Sequence, residues 1–141
     1  MSSAADDVSK RMRLIIADDQ ILMLDVVKRL LATDYNVIAS VDRGDSAFEA
    51  ITRMEADIAV LDVSMPDVSG IEVARRLQAN GSTTKIVFLT VHEDPEFVRE
   101  AIAAGAIGYV IKSCLASDLR EALKRAAEGN LFISSCIRMA G

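Results

Sequence analysis

Five short apolar runs alternate along the chain with stretches of helical spacing, and this alternation limits the fold more than any other feature. The runs are Leu14-Ile15-Ile16-Ala17, Asn36 to Val41, Ile58-Ala59-Val60-Leu61, Lys85 to Leu89, and Ile107 to Ile111. A strand with one wet face would alternate apolar and polar residues; these runs are nearly continuous, as in strands covered on both faces. Between the first two, Ile21, Leu24, Val27, Leu30 and Leu31 follow the spacing of an amphipathic helix. Asp45 is read as the N-cap of a helix over Ser46 to Met54. Ser69-Gly70-Ile71-Glu72 has the form of a capping box, opening a helix to about Ala79 that Asn80-Gly81 closes. Asp94-Pro95 reads as N-cap plus N1 proline for a helix to Ala104, with Gly105 past its end. A last helix covers about Ala116 to Ala127 and stops at Gly129. Strands alternating with helices predict an α/β, doubly wound, five-stranded parallel sheet with five flanking helices.

In such a sheet, right-handed crossovers put every strand C-terminus on one edge, and ligands bind there. The first strand ends in Asp18-Asp19, the third in Asp62, the fourth in Thr90 and the fifth in Lys112. Singly, each has an ordinary reading: a cap pair, a turn before Pro66, a helix cap, a solvated charge. Their convergence on one edge points instead to a site. Three crowded carboxylates raise one another's pKa values, and a hard cation relieves this. Mg²⁺ takes oxygen ligands and often binds one or two carboxylates with a phosphate. Asp19 and Asp62 are the natural direct ligands, Asp18 could act through water, and the Ser64 backbone carbonyl could add an oxygen. A carboxylate flanked by a metal and Lys112 can accept a phosphoryl group.

These residues carry a resemblance. Leu14 to Asp19 (LIIADD), Val60 to Gly70 (VLDVSMPDVSG), Ile86 to Thr90 (IVFLT) and Gly105 to Lys112 (GAIGYVIK) are similar, in motif and interval, to response-regulator receiver domains over residues 11–128. The resemblance implies the flavodoxin-like receiver fold and two-component signalling. It implies Asp62 as phosphoacceptor, Asp18-Asp19 as the acidic pocket, Thr90 as the hydroxyl that swings to the phosphate, Lys112 as the phosphate clamp and Tyr109 as the aromatic that moves with Thr90. It further implies Mg²⁺ as cofactor and a sensor histidine kinase as phosphoryl donor, with no catalysis beyond the chain's own phosphorylation and dephosphorylation. Ser64 and His92 hold positions that flank the phosphate in the family. The surface that changes is the fourth helix, fifth strand and last helix, and a homodimer on phosphorylation is a further expectation. The segment from Leu89 to Lys112 is most like the NarL/FixJ group, whose members usually carry a LuxR-type helix-turn-helix domain. DNA would be bound through that domain, under transcriptional control, in the cytoplasm.

Two departures stand out. Ser113 follows Lys112 where many receivers have a cis proline; a cis bond before serine would cost about 3–4 kcal/mol, which leaves the bond open between cis and trans and puts the fine placement of Lys112, not its role, in question. The chain also stops at Gly141. Residues 1–10 read as a flexible lead-in, 11–128 as the receiver, and 129–141 as a tail or the start of an interdomain connector. Leu131-Phe132-Ile133-Ser134 resembles such a connector, which favours an excised receiver over a stand-alone receiver acting by protein contact or as a phosphate shuttle.

Other function classes fit less well. A net charge of −5 and a pI near 4.9 argue against wholesale electrostatic binding of nucleic acid by this chain. No apolar run approaches the roughly 20 residues of a membrane span. Cys114 and Cys136 form no CxxC pair, and with the single His92 they make no zinc set; they read as small apolar fillers in a reducing cytosol. A haloacid-dehalogenase-type phosphohydrolase would want a second acid where Ser64 stands. A flavodoxin-like FMN carrier would want a hydroxyl- and glycine-rich phosphate loop where Asp18-Asp19-Gln20 stands. Phe97, Val98, Ile102 and Leu119 have helical spacing and are read mostly as core.

Overall fold

The computed structural model describes residues 11–137. The expected lead-in over 1–10, and the end of the tail, lie outside the described residues. The elements follow as β1 (Arg13–Ala17), α1 (Ile21–Leu31), β2 (Asn36–Val41), α2 (Gly44–Met54), β3 (Ile58–Leu61), α3 (Gly70–Ala79), β4 (Lys85–Thr90), α4 (Pro95–Ala103) and β5 (Gly108–Ile111). A 3₁₀ turn over Lys112–Cys114 then leads into α5 (Leu115–Ala127) and β6 (Phe132–Ile133).

The sheet order is β2-β1-β3-β4-β5-β6, with every neighbouring pair parallel. Alternate residues of a strand face opposite sides, and both sides are covered. Ala59 and Leu61 of β3 join a core with Ala47 and Ile51 of α2, Val73 and Leu77 of α3, and Val98 and Ala101 of α4. Ile58 and Val60 join the opposite core with Leu24, Val27 and Leu31 of α1 and Leu119, Leu123 and Ala126 of α5. This two-sided burial is why the strands read as unbroken apolar runs. No helix among the described residues is long and apolar enough to cross a membrane.

Three local expectations need correction. A sixth strand extends the sheet: Phe132 and Ile133 pair with Gly108 and Tyr109, where the sequence suggested only a connector. Two residues held by backbone bonds to a distant strand carry no pattern of their own. Asp45 is not an N-cap; α2 begins at Gly44 behind Arg43, and the Asp45 carboxylate accepts from Ser46 N–H within the first turn. A side chain at Gly44 would run into the Val68 carbonyl, so close approach of the β3–α3 loop sets that start. In α1, Leu24, Val27 and Leu31 are buried, but Ile21 is 71% exposed; the helix also carries exposed Leu22 and Val26, so its apolar residues do not mark one face. Ile102 is likewise exposed, whereas Val98 and Leu119 are buried.

The other caps follow the sequence. Ser69 Oγ accepts from Glu72 N–H, and the Asp94 carboxylate accepts from Glu96 N–H. Gly105 and Gly129 have φ of +100° and +81°, the left-handed conformation that favours glycine past a helix end.

Candidate functional site

Parallel strands deliver Asp18, Asp19, Asp62, Thr90 and Lys112 to one sheet edge, and the side chains of Asp18, Asp62 and Lys112 meet there. Lys112 Nζ lies 2.7 Å from Asp18 Oδ2 and 3.0 Å from Asp62 Oδ2. None of the three side chains is more than 7% exposed. Lys112 also donates to Gln20 Oε1 at 3.1 Å, and Gln20 N–H donates to Asp18 Oδ1 at 2.9 Å. Gln20 therefore bridges the acid pair and the lysine. Sequence reasoning passed over it, although its place directly after Asp18-Asp19 was a signal. The Lys112–Ser113 peptide, which the sequence left open between cis and trans, is trans.

The charges do not balance. Burial raises the Asp18 pKa; hydrogen bonds from Lys112 and Gln20 pull it back, and the Asp62 charge adds to the rise. Burial alone would lower the Lys112 pKa, but its hydrogen bonds to Asp18 and Asp62 outweigh that and hold it above the ordinary lysine value. One ammonium thus faces two buried carboxylates, with Asp19 exposed beside them.

Carboxylate oxygens of Asp18, Asp19 and Asp62 all lie within 4.8 Å of one another. An all-oxygen cluster with surplus negative charge, open to water through Asp19, suits Mg²⁺. A cleft lined by Asp19, Ser64, Met65, Phe97 and Glu100 opens beside it.

The surrounding loops are fixed by specific contacts. A Cβ at Gly70 would collide with the Asp62 carbonyl, so glycine lets α3 start hard against the end of β3. Ser64 N–H donates to Asp62 Oδ1 at 3.4 Å, and Ser64 Oγ is hydrogen-bonded to His92 Nε2 at 2.7 Å. The two flanking residues of the sequence reading are therefore joined across the pocket. Thr90 is fully buried and its Oγ1 accepts from His92 N–H at 3.3 Å. Tyr109 donates its hydroxyl to the His92 carbonyl at 2.8 Å. Its ring already lies inside the protein. Burial, then the charges of Asp62 and Asp94, raises its pKa and keeps the phenol neutral.

The sequence profile of the response regulator receiver domain matches residues 14–124. The chain belongs to that family. This receiver is 33% identical over 125 residues to the transcriptional regulatory protein DegU of Brevibacillus brevis, covering 87% of this chain and 53% of that one. It is 34% identical over 124 residues to the nitrate/nitrite response regulator protein NarP of Escherichia coli K12, covering 86% and 58%. The receiver thus spans about half the length of the curated relatives it matches. Among solved structures, it superposes on a two-component response regulator of the LuxR family from Aurantimonas sp. SI85-9A1. The TM-score is 0.86 and the identity 28%, with 91% of this chain and 93% of that one covered. The isolated receiver domain of RcsB from Salmonella enterica, at 22% identity and a TM-score of 0.83 over 91% and 96% of the two chains, shares the fold. The receiver is of the NarL/LuxR group of two-component response regulators.

Proposed function

We propose that the domain accepts a phosphoryl group on Asp62, in the presence of Mg²⁺, from a sensor histidine kinase. The observation that carries this reading is the juxtaposition of the Asp62 carboxylate with the Lys112 ammonium, beside two further carboxylates, at the ligand-binding edge of the sheet. A carboxylate oxygen of Asp62 attacks phosphorus; the bond to the donor's imidazole nitrogen breaks, and the imidazole leaves with the bonding pair and takes up a proton. Lys112 faces the oxygens on which charge accumulates. Asp19 and Asp62 would hold Mg²⁺ directly, with Asp18 through water and the Ser64 carbonyl completing the set, and the ion would supply further neutralisation of that charge.

The acyl phosphate brings roughly one further negative charge, by analogy with the −1.5 to −2 of a phosphoserine. The Thr90 hydroxyl is the mobile donor, and turning it toward the phosphate frees the His92 N–H. Tyr109 holds the other end of the same residue, so the rearrangement reaches β5 and the start of α4. Relatives are named as transcriptional regulatory proteins. An attached DNA-binding output domain, controlled through α4, β5 and α5 and by phosphorylation-dependent dimerisation, is the reading that follows.

Acetyl phosphate with Mg²⁺ tests the chemistry. Intact-mass measurement should show one added phosphoryl group in the wild type and none in Asp62→Asn. Equal labelling of the two overturns the assignment.

A further inference from the structure

The two cysteines are not apolar fillers. Cys136 is exposed, Cys114 is half-buried, and their Sγ atoms lie 2.8 Å apart. Ordinary non-bonded contact is roughly 3.5–4 Å. The approach is built by the fold. Cys114 ends the 3₁₀ turn that starts at Lys112. Beyond β6, Ser134 N–H donates to the Tyr109 carbonyl, Ser134 Oγ accepts from Ile111 N–H, and Ile137 N–H closes a turn onto the Ser134 carbonyl. These bonds return Cys136 to the end of β5, against Cys114.

Asp118 stands one helical turn along α5, with a carboxylate oxygen within 4.8 Å of both sulphurs. Its Oδ2 is buried and, among the described residues, has no hydrogen-bond partner. Two chemistries could use this set. Zinc-bound thiolates at about 2.3 Å from a tetrahedral ion stand about 3.8 Å from each other. The observed separation is shorter than a zinc-bound pair would take and leaves the two sulphurs in direct contact with each other, within reach of a disulfide.

We propose that Cys114 and Cys136 form a redox modification site, closing an intramolecular disulfide that fastens the segment after β6 to the turn carrying Lys112. The oxidant is a small disulfide of the glutathione class. The exposed Cys136 thiolate attacks one sulphur of glutathione disulfide and releases one glutathione thiolate. Cys114, as thiolate, then attacks the Cys136 sulphur of the mixed disulfide and releases the second. The two cysteine protons go to the departing glutathiones, so the protein loses two electrons and glutathione disulfide gains two. The hydrogen bond with Cys114, then burial and the neighbouring Cys114 and Asp118 charges, raises the Cys136 thiol pKa. The attacking thiolate is therefore scarce at neutral pH, so the exchange is slow, and the reduced pair gains no stability from an ionised thiol that would oppose disulfide formation.

The oxidised form ties the chain leaving the domain to the loop that positions Lys112. Redox state and phosphorylation would thereby act on one structural element. The bond itself does not depend on Asp62, and the test keeps the two readings apart. The reduced 141-residue protein is equilibrated without oxygen in glutathione mixtures, then quenched, alkylated and mapped by mass. Wild type and Asp62→Asn alike should lose two thiols, carry no glutathione, stay monomeric and yield a peptide joined through Cys114 and Cys136, reversibly with dithiothreitol. Cys114→Ser should retain one glutathione on Cys136. Half-oxidation should need a ratio of glutathione disulfide to the square of the glutathione concentration about tenfold lower than for the urea-unfolded chain, because folding raises the effective concentration of the pair. Stable glutathione adducts on the wild type, intermolecular dimers, or no difference from the unfolded chain would overturn the proposal. So would a reduced protein that retains one Zn²⁺ through gel filtration and resists oxidation, since the set would then be a metal site.

Discussion

Lys112→Met tests whether the lysine is the internal counter-ion of the site. The substitution keeps an unbranched chain of similar length but leaves Asp18 and Asp62 facing each other, both nearly buried, without the ammonium now 2.7 and 3.0 Å away. Removing one partner of a buried ion pair costs about 3–5 kcal/mol. The protein has an escape, which sets a ceiling. Asp18, whose pKa burial already raises, can take up a proton. Protonating an ordinary aspartate of pKa near 3.9 at pH 7 costs about 4 kcal/mol, at 1.36 kcal/mol per unit. The loss at pH 7 should therefore be about 3–4 kcal/mol, and it should shrink by about 1.4 kcal/mol per unit as the solution is acidified. Urea unfolding of both proteins at pH 7 and pH 5, with a chelator present, reads this difference. At the alkaline end the sign reverses. The folded Lys112 pKa is raised, so its stabilisation is complete below the unfolded lysine value near 10.4 and is lost as pH climbs through the folded value. Tyr109 also resists ionisation in the folded state, but it is present in both proteins and cancels in the comparison. A loss below about 1 kcal/mol at pH 7, or one unchanged at pH 5, would mean that water already balances the carboxylates and that the counter-ion argument is wrong.

Three further substitutions separate the parts of the site. Asp19→Asn should weaken Mg²⁺ binding about tenfold or more in a calorimetric titration, while the metal-free protein melts at an equal or higher temperature because like-charge repulsion is relieved; unchanged affinity contradicts the ligand role. Thr90→Ala should still accept phosphate on Asp62, but NMR shift changes on beryllofluoride addition should shrink around His92 to Ala104 and at Tyr109 while persisting beside Asp62. Gly70→Ala should cost about 1–3 kcal/mol or more in urea unfolding, because its Cβ has no space against the Asp62 carbonyl.

The sheet and the acidic edge were legible because they rest on local pattern. Buried strands write continuous apolar runs, and a chain that always crosses over in the same hand must gather the residues ending β1, β3, β4 and β5. What was not legible depends on non-local contact. The start of α2 is set by the Val68 carbonyl pressing on Gly44, which no propensity at Asp45 encodes. The second strand's partner β1 could be guessed, but β6 exists only through two backbone pairings with β5. Gln20 became part of the site only once Lys112 reached it from 92 residues away. The two cysteines, 22 residues apart, looked unrelated until the segment after β6 folded back on β5. In α1 the apolar residues exceed what one buried stripe needs, so spacing alone could not tell that Ile21 faces water.

His92 shows why the pocket and the switch can be altered independently. Its backbone joins the two residues proposed to form the switch: its N–H donates to Thr90 Oγ1 and its carbonyl accepts from Tyr109. Its ring does something else, reaching Ser64 Oγ at 2.7 Å and packing on Phe97 with ring centroids 4.6 Å apart. His92→Ala keeps the backbone groups and removes the ring. The Thr90–His92–Tyr109 chain should survive, so beryllofluoride should still move α4 and Tyr109 signals at near full size. Without its ring partner the Ser64 hydroxyl should no longer be held beside Asp62, which should open a path for water to an acyl phosphate formed there. Its hydrolysis, followed by loss of the phosphoryl mass after acetyl phosphate is removed, should quicken severalfold. The opposite pattern, an unchanged lifetime with a lost long-range response, would mean that the ring rather than the backbone of His92 carries the signal.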